Sequence, residues 1–301
     1  MFWFLIALIG YICFAVIFIL DKIIVSEKLS KPVVYTFYST IFMFAALLAW
    51  PFAQFALLSG FDWLWALLSG LSFGFGLWTL FNALKNDETS HISPFNGAFV
   101  TIFVYFLSNL FLGENLSQFK QAGVIILVFA ALLLSFQKTK NKKSFSLGFL
   151  WAIISGLFFA ISHVSAKYLY DIYPFLVALI WSKAFVGLIG LVTLFFPSVR
   201  QSFKKQENVE KTKNKNAFSL IIFDKLLSIV AVICIQYAIS IGSVTIVNAL
   251  IGVQYVLMFV FILILSKFAP KLFNEYFTKK ELAIQTIAII LVIIGTAFFV
   301  F

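Results

Sequence analysis

Apolar runs of about 18–23 residues recur along the whole chain, each long enough to cross a hydrocarbon layer of about 30 Å as a helix. They fall near residues 2–20, 33–50, 62–84, 93–112, 119–136, 147–169, 174–196, 217–240, 244–266 and 282–300. Of the 301 residues, 62% are hydrophobic and 11% charged, whereas a soluble domain carries about 25% charge. No soluble fold could cover that much apolar surface, so the solvent is lipid and the predicted fold class is an all-α membrane protein of ten transmembrane helices.

Polar punctuation supports the cuts. Lys31-Pro32, Trp50-Pro51, Tyr173-Pro174 and Ala269-Pro270 each place a proline at a boundary, where its missing N–H does least harm. Trp50, Trp63, Trp65 and Trp151 fall near span ends, as interfacial aromatics do. The opening Met1-Phe2-Trp3 has no basic region before it, and the first run has no small-residue cleavage site, so that run is expected to stay as the first helix. Cys13 and Cys234 lie inside apolar runs, without metal-ligand or redox spacing, and are expected to be structural.

The net charge of +10 would suit nucleic acid, but the lysines cluster in short connections between spans, where membrane topology and anionic headgroups account for them. Lys138, Lys140, Lys142 and Lys143 form one cluster, and Arg200, Lys204, Lys205, Lys211, Lys213 and Lys215 another. Both follow odd-numbered spans. The positive-inside rule then makes that side cytoplasmic and puts both termini outside. Residues 198–216, rich in Lys, Gln, Asn and Glu, read as a flexible cytoplasmic loop with too little apolar content to order itself. Heavy use of Lys, Ile, Phe and Asn beside a single arginine suggests an AT-rich bacterial genome, hence the inner membrane.

The two halves repeat. Gly113-Glu114-Asn115-Leu116-Ser117 precedes the fifth span and Asn274-Glu275-Tyr276-Phe277-Thr278 precedes the tenth. Ser117 and Thr278 are placed to cap the following helix, Thr278 with Glu281 in a capping box. Ala83 and Ala238 end the third and eighth spans, Gly97 and Gly252 follow each by fourteen residues, and Lys22 and Lys167 close the first helix of each half. The expected division is 1–137, a basic linker 138–146, and 147–301. Five spans is an odd number, so the second half enters the membrane with opposite polarity, an inverted repeat with a site near the midplane.

The stretch Asn82-Ala83-Leu84-Lys85, a short polar turn, the fourth span, then Gly113-Glu114 with Leu116-Ser117 resembles the EamA-type members of the drug/metabolite transporter superfamily, and the resemblance extends over nearly the whole chain. The second half departs from it in Asn274, where the family often has glycine, and in a longer connection between the last two spans. Family members commonly keep both termini in the cytoplasm, opposite to the lysine count here. The resemblance implies two inverted five-helix repeats around a central cavity, working by alternating access on a small organic metabolite such as an amino acid, sugar, nucleotide-like compound or drug.

Ionisable groups inside spans usually face a bundle interior or a water-filled path. His163, Lys167 and Asp171 recur at i, i+4 and i+8 on the sixth span. One reading is a polar stripe entering a substrate path, with His163 able to titrate near neutrality; the other leaves Lys167 and Asp171 at the water interface and His163 bonded to a carbonyl. Lys183 lies about 13 Å into the seventh span and Asp224 about 10 Å into the eighth from the opposite side, at about 1.5 Å per residue. A Lys183–Asp224 pair is expected, with the adjacent Lys225 as the competing partner. Asn82 on the third span, Asn96, Thr101, Tyr105 and Asn109 on the fourth, and Asn248, Gln254 and Tyr255 on the ninth are candidate cavity groups, with Trp78 as a stacking wall; interhelical hydrogen bonds are the alternative role. Gly70, Gly74 and Gly76 read as close helix contact, and Asp21-Lys22 as an interfacial anchor or a gate.

The expected substrate-binding set is therefore Trp78, Asn82, Asn96, Tyr105, His163, Lys167, Lys183, Asp224, Asn248, Gln254 and Tyr255. Neither a catalytic set nor a metal set converges in the sequence, the two histidines lacking ligand spacing, and no cofactor is implied. Expected partners are a small-molecule substrate, membrane lipids and a coupling proton or ion, not nucleic acid. A membrane enzyme or a receptor or scaffold is the alternative class.

Overall fold

A computed structural model describes residues 2–24, 31–86, 89–135, 147–205, 215–268 and 279–300. The elements are α1 (Phe2–Ile24), α2 (Pro32–Ile41) continued by a 3₁₀ segment (Phe42–Ala53), α3 (Asp62–Asn86), α4 (Thr89–Leu112), α5 (Gln118–Ser135), α6 (Leu147–Ile172), α7 (Phe175–Thr193), α8 (Pro197–Lys205), α9 (Lys215–Ile241), α10 (Val244–Ala249), α11 (Ile251–Phe268) and α12 (Lys279–Val300). Ten stretches among the described residues are long and apolar enough to span a bilayer. They coincide with the ten runs read from the sequence, α10 and α11 together making the ninth span.

Helix starts follow local chemistry. Pro32 takes the first turn of α2, where a missing N–H costs nothing. Ser243 accepts from the Ile246 N–H at 3.1 Å, and Ser117 from the Lys120 N–H at 3.5 Å, both as N-caps. Thr278 and the basic stretch 138–146 lie outside the described residues, as do the side chains of Asp21, Lys22 and Glu281. Pro51 does not end its helix: the chain runs on in 3₁₀ turns to Ala53, a geometry that tolerates the lost hydrogen bond better than an α-helix interior.

The segment 198–216 is not one flexible loop. Pro197–Lys205 forms α8, in which Val199 is fully buried and Phe203 sets its ring edge-on to Phe37 at 5.4 Å and to Tyr38 at 6.5 Å. The i, i+4 spacing of Val199 and Phe203 gives the helix one apolar stripe to dock on α2, which the overall polarity of the stretch conceals. Residues 206–214 lie outside the described residues.

The chain packs as two compact units that interleave the sequence halves. The first comprises Met1–Lys28, Leu116–Lys142 and Lys211–Phe301; the second comprises Leu29–Asn115 and Lys143–Glu210. In the second unit α6 lies along α3 and α4, while α7 lies along α2, its 3₁₀ continuation and α3. In the first, α1 lies along α9 and α11, and α5 along α12. One packing feature is common to both: the first helix of one half lies on the third and fourth spans of the other half.

Small residues make these contacts possible, because apolar burial cannot drive helices together in lipid and close van der Waals approach must do so instead. In the second unit a Cβ added at Gly70 would stand 2.4 Å from Phe185 Cβ, and one at Gly74 2.4 Å from Ile189 Cγ1. At Gly76 it would meet the Phe159 ring at 2.9 Å. In the first unit the Gly10 position faces Ile235 at 2.8 Å and the Gly123 position faces the Gly295 carbonyl at 2.9 Å. A cluster of Ile19, Leu134, Tyr255, Met258, Ile262 and Ala288 fills the interior beside α11. Large side chains such as Leu48, Phe52, Leu110 and Phe119 are exposed, as a lipid-facing surface requires.

Candidate functional site

The polar groups of the second unit converge where α3, α6 and α7 meet. Lys183, mid-way along α7, is 7% exposed, and its ammonium sits 4.3 Å over the centre of the Phe73 ring. Phe73 packs edge-on to Phe159 at 5.3 Å, and Phe159 stacks with the His163 ring at 6.4 Å. Phe73 and Phe159 face each other because α3 and α6 approach at small residues: Ser69 donates to the Ser162 carbonyl at 3.0 Å, and Ser155 to the Gly76 carbonyl at 2.9 Å. The result is a cation at one end of an aromatic wall; elsewhere on the same helix the buried Ser182 hydroxyl lacks a hydrogen-bond partner.

Lys167 pairs with Asp171 at 2.8 Å, with Asp171 about half exposed. The i, i+4 spacing therefore makes an ion pair near the end of α6. Lys183 and Asp224 fall in different units, and each has a neighbour within its own. Asp224 is fully buried and its Oδ2 lies 2.9 Å from Lys225 Nζ, although neither carboxylate oxygen accepts a well-directed hydrogen bond.

The amides make backbone bonds. Asn96 donates to the Ala152 carbonyl at 2.8 Å, tying α4 to α6. Asn82 donates to the Trp78 carbonyl at 2.8 Å and Asn248 to the Val244 carbonyl at 2.8 Å, both one turn back along their own helices. Thr101 does the same to Gly97, and Asn109 bonds the Glu114 carbonyl in an exposed turn. Trp78 meets Phe196 edge-on at 5.4 Å. Tyr105 and Gln254 are half-buried, Tyr105 against Phe106, and Tyr255 belongs to the apolar cluster of the first unit.

Two features escaped the sequence reading. α4 begins at Thr89, so that Pro94 lies more than a turn inside it and not at its start, and the ninth span is interrupted at Leu250, between α10 and α11. At that interruption Tyr11 of α1 donates to the Val247 carbonyl at 2.8 Å, satisfying an acceptor that a continuous helix would satisfy itself. When Gly97 is aligned with Gly252, Pro94 falls one position before the residue matching Leu250. Pro94 was a visible signal; nothing in the sequence around Leu250 marks a break.

Two packed helical units, ten lipid-length spans and polar groups buried in their interiors define an integral membrane protein of the helical-bundle class. Residues 1–136 match the family model described as the EamA-like transporter family. Over that first part the chain is similar to a family of membrane transporters. A solved crystal structure is similar in fold, with a TM-score of 0.66 at 17% identity over 98% of this chain and 95% of that one. No curated protein sequence matches the chain.

Proposed function

We propose that the protein is a secondary transporter moving a small organic metabolite by alternating access between two inverted five-helix repeats, 1–137 and 147–301. The observation that carries this reading is the common packing scheme: α6 on α3 and α4 in one unit, α1 on α9 and α11 in the other. Exchange of the two halves leaves that scheme unchanged, which is the behaviour of structural repeats, and an odd number of spans per repeat makes them inverted. Pro94 within α4 and the break at Leu250 in the ninth span stand at nearly matching places, which adds support, because Pro- or Gly-interrupted segments in corresponding positions of two halves point to a transporter's binding site.

In this reading Lys183, His163 and Trp78 of the second unit contact the substrate, and Asn82, Asn96, Tyr105, Lys167, Asp224, Asn248, Gln254 and Tyr255 shape or gate its route. The basic connections face the cytoplasm of a bacterial inner membrane, and a proton or ion couples the cycle. Counterflow in proteoliposomes tests transport: vesicles preloaded with a bacterial small-metabolite extract should accumulate labelled external metabolite only when they contain the protein. Equal uptake by protein-free vesicles would overturn the proposal. Cysteines introduced at Lys140 and at Ser59 test orientation, since only the former should be shielded from an impermeant thiol reagent added outside cells.

A further inference from the structure

A lysine buried to 93% in a lipid-embedded bundle needs an anion, and the described residues of its unit offer none. Asp62 accepts from Tyr173 at 2.6 Å and from Tyr168 at 3.4 Å at the start of α3. Asp171 is taken by Lys167. Glu114 stands in the turn beyond α4 and has interactions of its own. Among the described residues the Lys183 ammonium has the Phe73 ring as its partner, and a cation over an aromatic face gains about 0.5–2 kcal/mol, far below the cost of burying an unpaired charge. An apolar residue at this position would cost less to bury.

We infer that Lys183 is the anion-binding group of the substrate site and that the substrate is a monocarboxylate with an apolar, ring-sized body. The inference rests on the transporter reading above and narrows its substrate class. One primary ammonium matches one carboxylate; a phosphate dianion calls for several cations or the forked donors of arginine. The single arginine of the chain, Arg200, donates instead to the Leu194 carbonyl on α7's far side. An amino acid would bring its own ammonium, and no described carboxylate of the unit remains to receive it. The rings of Phe73, Phe159 and His163 then supply an aromatic surface for the rest of the molecule, which stacks or packs edge-on with ring centres about 4.5–7 Å apart.

Four ligands sharing one phenyl body test the charge rule on the purified full chain in detergent: phenylacetate, phenylalanine, phenethylamine and phenyl phosphate. Phenylacetate should raise the melting temperature and bind at least tenfold more tightly than the other three. Lys183→Gln should weaken phenylacetate binding by about 10–100-fold, the usual worth of a charge-assisted hydrogen bond, while Lys183→Arg retains most of it. Lys183→Met should melt no lower than the unmodified protein in the absence of ligand, an outcome that a merely structural lysine would not give. Equal binding of phenethylamine, unchanged affinity in Lys183→Gln, or no response to any of the four would overturn the inference. The ligand series uses the unmodified protein, so it decides even where a variant does not fold. Counterflow of metabolites without phenylacetate binding would sink this inference alone; phenylacetate binding without counterflow would sink the transport proposal alone.

Discussion

The two packing units follow one scheme with different chemistry. In the second unit α6 is fastened to α3 and α4 by hydrogen bonds from Ser69, Ser155 and Asn96 and by helix contact at Gly76, and the unit buries a cation, Lys183, against a ring. In the first unit the tie from α1 to the ninth span is the Tyr11 hydroxyl on a broken helix, and the buried charge is an anion, Asp224, neutralised by its own neighbour. The contacts common to the two units are thus held in different ways.

The largest expected effect separates the units by glycine. A Cβ at Gly190 would stand 2.8 Å from the backbone of Ile41, whereas one at Gly252 would meet only Val292 and Leu127 side chains at ordinary distances, 3.5 and 3.8 Å. Gly190→Ala should cost about 1–3 kcal/mol through overpacking, and Gly252→Ala should be neutral or stabilising by up to about 1 kcal/mol through helix propensity. Thermal unfolding in detergent measures both. Equal melting temperatures would show that the closeness of approach at these two glycines does not set their effect.

Next in size is the Asp224–Lys225 pair. Lys225→Met leaves a fully buried carboxylate without its countercharge and should lower the melting temperature, and Asp224→Asn added to it should restore most of the loss. If the double variant were no more stable than Lys225→Met alone, the pair would not be a unit. The smallest effect is expected at the hydroxyl ties. Tyr11→Phe and Ser155→Ala should each cost about 0.6–2 kcal/mol, the range for an interhelical hydrogen bond in a membrane. Tyr11→Phe alone should also speed amide exchange around Leu250, because it frees the carbonyl at the interruption; identical exchange in both variants would show that Tyr11 does not hold the break.

Much of this was legible beforehand for a simple reason. Lipid accepts few lengths and few charges, so the ten spans follow from hydropathy alone, and Gly70, Gly74 and Gly76 announce close contact because nothing larger fits there. Ser117 as a cap was readable from its place before an apolar run. The order in α8 was not, because two apolar residues, Val199 and Phe203, are enough to dock a helix yet vanish in a polar average. The amides of Asn82 and Asn248 looked like cavity groups; their bonds one turn back depend on side-chain rotamers that spacing does not specify.

The sequence by itself determined the solvent, the number of crossings and the approximate ends of each, since those are set by transfer of each segment into hydrocarbon, a local property. Only the tertiary structure decided which helices lie together, that the compact units cut across the halves, and that the Lys183 ammonium meets Phe73, 110 residues earlier in the chain. Those are choices among partners nearly equal in apolarity, and in lipid such choices turn on backbone approach, glycine placement and single hydrogen bonds rather than on burial.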